Sequence, residues 1–234
     1  MYKVICLIFL TCMFGQLCAS PNEKSEAELY EEVAELFNQG KYKQVIRASQ
    51  NIEDLYPLSH WAMKAKLLSG MSSYKIGDYS DAASSMDDYI HIYLNSEDLQ
   101  YVYYLRVLSY YMQINKVQLG QHIAYKTLEL ATEYINLFPN SNYIDDVKKK
   151  AKLVAEHISA KEYSIGKFYL RRGEYLAAIK RLQNIVDDKN SNYLSKSISC
   201  LISAYSALGL DLEAQQYASM LVEDPKNTNS VPII

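Results

Sequence analysis

The stretch Gly173-Glu174-Tyr175-Leu176-Ala177-Ala178 decides the architecture, because its skeleton returns elsewhere in the chain: glycine, any residue, tyrosine, then a small or branched residue three positions on. Gly40-Lys41-Tyr42 precedes Val45 and Gly77-Asp78-Tyr79 precedes Ala82, while Gly209-Leu210-Asp211 keeps the glycine and Ala214 but not the tyrosine. The steps from 40 to 77 and from 173 to 209 are 37 and 36 residues, close to the roughly 34-residue period of paired-helix repeats. A glycine suits the left-handed position that ends one helix. The tyrosine then packs back as the second helix starts, and the small residue one turn later lets the two helices approach. With only 8 Gly and 5 Pro among 234 residues, and 49% apolar content, little chain is left for loops.

The prediction is an all-α protein, a right-handed superhelical stack of about five tetratricopeptide helical hairpins over residues 26–224. Leu29, Val33, Leu36 and Phe37 give the apolar stripe of a first helix that ends at Gly40. Its partner runs from Tyr42 to about Leu55, stopped by Tyr56-Pro57. The next pair spans Ser59 to Ile76 and Tyr79 to Leu94, and the Tyr-rich run from Leu99 reads as a helix packed on both faces. Periodicity weakens over Asn115 to His122, and the gap from Gly77 to Gly173 exceeds two repeat units. A middle repeat with an insertion or extended helices fits that gap, its second helix running from about Thr127 to Leu137. Ser141 is the predicted N-cap of the next element. Asp145 to Arg172 forms one long helix or two short ones, and Tyr175 to Asp187, Tyr193 to Leu208 and Leu212 to Glu223 complete the set. The 22 tyrosines are expected in the seams between helices, hydroxyl toward the wet edge.

The ends differ from the body. Met1-Tyr2-Lys3 followed by the apolar run Val4 to Phe14 and the small residues Gly15 to Ser20 reads as a signal peptide over residues 1–19, too short for a comfortable membrane span. Residues 20–25 are then a linker and residues 225–234 a disordered tail. Three of the 4 Cys lie in the leader, so Cys200 is the one certain thiol of the mature chain and is read as a small buried hydrophobe rather than a reactive thiol. Cys18 stands where bacterial lipoproteins receive their acyl chains, with Leu17 before it. Ordinary cleavage after Ala19 is the other reading.

Chemistry is sparse. There is no phosphate-binding glycine loop, no zinc-spaced Cys/His cluster and no nucleophile elbow, so no catalytic residue, metal or cofactor is expected. His60, His91, His122 and His157 read as surface or helix-end residues. Asp87-Asp88 and Asp187-Asp188 are helix neighbours, which point about 100° apart and do not make an acid/base pair. A net charge of −3 argues against nucleic acid as a partner. Lys148, Lys149, Lys150 and Lys152 form a basic run that is either a solvated face or a docking patch for an acidic partner.

From Glu28 to about Glu223 the chain resembles the BamD (ComL) family, tetratricopeptide lipoproteins of the outer-membrane β-barrel assembly machine. The resemblance rests on LYEEVAELFNQGKYKQVIRASQNIEDLYPLS with its Tyr56-Pro57-x-Ser59 ending, on YVYYLRVLSYY from Tyr101, on FPNSNYIDDVKK from Phe138 and on KEYSIGKFYLRRGEYLAAIKRLQNIV from Lys161. Val107 stands where the family usually has glycine, and the stretch from Val117 to Tyr125 lacks its usual Arg-Asp-Gln. The resemblance implies a lipid anchor, with Cys18 preferred to Cys12, on the periplasmic face of the outer membrane. Its implied partners are the periplasmic POTRA domain of a BamA-like barrel insertase, other assembly-machine lipoproteins and client outer-membrane proteins. Arg172 and Arg181 match positions that face the insertase. Tyr56 and Trp61, in an aromatic groove that also takes in Tyr74 and Tyr79, are the expected receptors for aromatic-ended client segments. A Tol-associated cell-envelope coordinator shares such repeats but usually carries a coiled-coil segment, for which Glu23 to Gly40 is too short. A catalytic α-solenoid, as in some peptidoglycan lyases, would need an added domain.

Overall fold

The computed structural model describes residues 24–114 and 121–222. Among these residues there are ten helices and no strand, and consecutive helices pair into five hairpins. The hairpins are α1 (Glu26–Asn38) with α2 (Tyr42–Leu55), α3 (His60–Lys75) with α4 (Tyr79–Ile92), and α5 (Leu99–Ile114) with α6 (His122–Leu137). They continue as α7 (Ile144–Arg171) with α8 (Tyr175–Val186) and α9 (Leu194–Ala207) with α10 (Asp211–Val222). The first helix of each hairpin also touches the first helix of the next, so the hairpins stack in chain order. Cys18, the leader and the tail from residue 223 lie outside the described residues, as do residues 115–120 of the weakly periodic stretch.

The four glycines of the repeat sit at φ 71, 81, 74 and 71, for Gly40, Gly77, Gly173 and Gly209. Each turn is closed by the same two bonds. The glycine N–H donates three residues back, as Gly40 does to Phe37, and the next N–H donates five back, as Lys41 does to Leu36 at 2.9 Å. The aromatic return follows: Tyr42 meets Phe37 edge-on at 5.6 Å and Tyr79 meets Tyr74 at 5.3 Å. Val45, Ala82, Ala178 and Ala214 are all buried, so the small position holds in every copy, including the one without tyrosine.

The turns between hairpins repeat as well. Ser96 and Ser141 each bond a buried tyrosine seven residues earlier, Tyr89 and Tyr134, and each accepts a backbone N–H two residues on. Ser191 accepts from Tyr193 N–H in the same way. Ser141 is therefore not the N-cap of α7, which starts three residues later; it is a buried turn lock. The dipeptide Asn-Ser at 95–96, 140–141 and 190–191 was the signal available for this.

Two boundaries move, and the open reading of the long segment is decided. α4 ends at Ile92, two residues short of the expected Leu94. α6 begins at His122 rather than near Thr127, because Ala124 packs against Val154 and Ile158 and extends the helix beyond the clear periodicity. α7 is one continuous helix of 28 residues, about 42 Å long. Its first half closes the third hairpin, where Asp146 accepts from the Tyr104 hydroxyl at 2.8 Å. Its second half pairs with α8 and meets the turn before α9, where Tyr163 lies 5.4 Å from Tyr193. That double duty, with the segment between α5 and α6, accounts for the long step from Gly77 to Gly173.

Candidate functional site

Tyr56 is the C-cap of α2 and Trp61 lies in the first turn of α3. Both flank the turn between α2 and α3, where Ser59 caps α3 by accepting from Ala62 N–H at 3.0 Å. The Trp61 ring is half-buried, 5.0 Å from Tyr30 of α1 and 5.5 Å from His60, with the Lys64 ammonium 5.5 Å from its centre. Beside it a cleft of about 630 Å³ opens between the start of α3 and the α4–α5 turn. His60, Met63 and Lys64 form one wall; Tyr93, Glu97 and Asp98 are on the other. Burial pushes the Tyr30 hydroxyl up, and the Asp98 carboxylate adds to it. Burial likewise raises Tyr93, with Glu53 adding. Walls of mixed polarity, cationic at Lys64 and acidic at Glu97 and Asp98, in an open cleft suit a short peptide segment better than a small metabolite.

Tyr74 and Tyr79 do not belong to this site. They pack on each other across the Gly77 turn, at the far end of α3, and thirteen residues of helix separate Tyr74 from Trp61 by about 20 Å. Sequence reasoning missed Tyr30, Lys64 and Asp98, which come from three hairpins and share no motif.

Arg172 and Arg181 are also held apart. Arg172 caps α7, is exposed, donates to Glu174 at 2.9 Å and lies 5.4 Å from the exposed Phe168 ring. Arg181 points inward along α8. Its Nη1 lies 3.3 Å from Oε1 of Glu162, a carboxylate only 1% exposed, while Asn184 donates to the other oxygen at 3.3 Å. Arg181 thus pairs with a buried acid as well as reaching solvent, whereas the ion pair of Arg172 is with the exposed Glu174 on the surface.

Arg106, within the YVYYLRVLSYY run, ties three helices together. It reaches Asp87 of α4 at 3.3 Å and Glu133 of α6, with the Tyr103 ring 4.6 Å away. Asp87 also accepts from Tyr110, whereas Asp88 faces Lys66 at 3.7 Å; adjacent carboxylates have diverged as expected on a helix. The four histidines are exposed. Cys200 is half-buried rather than enclosed, and burial pushes its thiol up, with Lys167 and Tyr163 opposing. Of the basic run, Lys150 is engaged by Asp146 at 2.7 Å, while Lys148, Lys149 and Lys152 are exposed. No cluster able to hold a metal ion occurs among the described residues.

Residues 22–221 match the YfiO family, described as outer membrane lipoprotein. The chain belongs to this family. The match takes in all ten helices but the last residue of α10. An outer membrane protein assembly factor BamD of Rickettsia prowazekii (strain Madrid E) is 32% identical over 196 residues, covering 83% of this chain and 78% of the relative. The BamD of Caulobacter vibrioides is 27% identical over 194 residues, covering 82% of this chain and 64% of its own length. A crystal structure of MamA protein covers 89% of this chain and 97% of its own at 17% identity and a TM-score of 0.41. That likeness is too loose to argue from; the hairpin stack is established by the chain's own helices.

Proposed function

We propose that this chain is an outer membrane protein assembly factor, a lipid-anchored scaffold on the periplasmic face of the outer membrane. The observation that carries the reading is the family match over nearly the whole helical stack, with relatives named as assembly factors. In this reading Cys18 bears the lipid, Arg172 and the neighbouring Phe168 meet the periplasmic POTRA domain of a BamA-like insertase, and other assembly-machine lipoproteins associate with the same complex. Clients enter by the cleft beside Trp61. An aromatic-ended segment stacks on Trp61 at the margin of the cleft, Tyr56 across the α2–α3 turn is the second contact, and Lys64 can neutralise a terminal carboxylate.

Pull-down from solubilised envelopes tests the scaffold role, and recovery of the insertase with the wild type but not with Arg172→Ala is expected. Client binding is tested by titrating an aromatic-ended β-signal peptide into the wild type, Tyr56→Ala and Trp61→Ala. Loss of a binding hot spot costs about 2 kcal/mol, roughly thirtyfold in affinity. Equal affinities in proteins that melt alike would leave those rings as packing. Mass spectrometry of the mature N-terminus decides the anchor: an unmodified chain starting at Ser20 removes Cys18 from the mechanism.

A further inference from the structure

Chain direction sorts the surface of the first three hairpins into two ends. α1, α3 and α5 start, and α2, α4 and α6 finish, at one end; the glycine turns of Gly40 and Gly77 are at the other. At the starting end stand Leu55, Ile92 and Leu137, each the last residue of its helix and each exposed. Leu58 and Leu94 join them from the adjoining turns, 74% and 68% exposed, and Ile92 and Leu94 also line the cleft beside Trp61, so the row and the cleft are continuous. Single exposed leucines are ordinary, but here an aliphatic recurs at one register in three successive hairpins. Leu58 adds a second oddity. It holds φ 68, the one residue other than glycine in the left-handed region among the described residues, a conformation that a side chain with a Cβ disfavours. The turn thus carries an exposed leucine in a conformation in which it is also unfavourable, and packing within the chain explains neither.

The same end leads to Cys18. α1 starts at Glu26, so the chain from Cys18 can span at most about 27 Å when extended. An acyl group on Cys18 therefore tethers the chain by this end, within about 27 Å of the bilayer, and the glycine turns lie one helix length, about 20 Å for the 13 residues of α1, further along. We propose that this aliphatic row is a membrane-contact surface, resting on the outer parts of zwitterionic phospholipids and adding to the lipid anchor. The proposal rests on the anchoring at Cys18 given above. Glu97 and Asp98 at the same end disfavour an anionic headgroup layer. No helix among the described residues is long and apolar enough to cross a membrane, so the contact is interfacial. A lipid chain alone gives weak and reversible attachment, and a second apolar contact makes it lasting. It also fixes orientation: the cleft at Trp61, at this same end, is held at the bilayer margin, where a client strand must pass from periplasm to membrane.

Trp61 is the chain's one tryptophan, so a Trp61→Phe background is silent in tryptophan emission. Into it go Leu58→Trp, Leu94→Trp and, as control, Leu212→Trp, which is 81% exposed in the first turn of α10 beside a glycine turn. Helical content by circular dichroism confirms folding, and Leu94→Trp carries the test should position 58 not tolerate the larger ring. On vesicles of brominated phosphatidylcholine, the tryptophans at 58 and 94 should shift to shorter wavelength and lose most of their emission. The one at 212 should do neither. Quenching alike at all three positions, or at none, overturns the proposal and leaves the row to a protein partner. Mass spectrometry of the same sample reports acylation of Cys18 separately. Where Cys18 is unmodified, the anchoring reading fails, and the chain attached through a hexahistidine segment to nickel-chelating lipid still decides the contact by the same pattern.

Discussion

Arg181 and Arg172 show how a residue's meaning depends on what lies under it. The same contact role was expected of both, yet one bonds a carboxylate that is 1% exposed and the other lies on the surface with 61% of its side chain open. Arg181→Leu would leave the buried Glu162 carboxyl without its cation, with Asn184 as its remaining side-chain partner. Breaking a fully enclosed pair costs about 3–5 kcal/mol; because solvent reaches Arg181, a loss of about 2 kcal/mol is expected in urea denaturation. The loss should shrink in a Glu162→Gln background, since no buried charge remains to be stranded. Arg172→Ala should change stability by less than about 0.5 kcal/mol. A co-purification defect in Arg181→Leu would therefore mix folding with docking, whereas one in Arg172→Ala reports docking.

Within a hairpin, two glycines act in opposite ways. Gly173 stands at φ +74 with open space where a Cβ would be, so its value is conformational; Gly166, inside α7, would place a Cβ 2.7 Å from the buried Leu182 side chain. Gly173→Ala should cost about 1 kcal/mol through backbone strain at the turn. Gly166→Ala gains helix propensity but must displace a core leucine, and a net loss of about 1–2 kcal/mol is expected from overpacking. Thermal melts of the two variants, with the ligand-free protein as reference, check both. A Gly166→Ala protein as stable as the wild type would mean that α7 and α8 can separate by the needed fraction of an ångström.

The whole molecule hangs on α7. Stacked repeats contact only their neighbours, and here the two halves of one helix serve the third and fourth hairpins, so the rigidity of that helix joins the N-terminal hairpins to the last two. Ala160 lies at its middle. Ala160→Pro removes a backbone bond and clashes with the preceding turn, at a cost of about 3 kcal/mol or more. Hydrogen exchange should then show α7 from residue 160 through α10 opening at lower energy than α1 to α6, where the wild type protects both halves together. Uniform exchange in the variant would show that the side contacts of α8 and α9, not helix continuity, join the halves.

Read as sequence, the chain already determined its hairpins: glycine is the residue that takes positive φ without strain, and a buried small residue one turn later is required wherever two helices cross closely. Those demands are local, so Gly40, Gly77, Gly173 and Gly209 each announced a turn, and Val45, Ala82, Ala178 and Ala214 each a seam. The start of α6 and the unbroken length of α7 were not legible, because both are set by neighbours: Ala124 against Val154 and Ile158, and Tyr163 against Tyr193. The candidate site divides in the same way. Tyr56 and Trp61 flank one turn, and sequence alone could pair them. Tyr30, Lys64 and Asp98 meet Trp61 and its cleft only after the first three hairpins have stacked, and only the pairing of α7 with α8 brought Arg181 to Glu162, because burial and charge pairing depend on distances across the fold that sequence spacing does not encode.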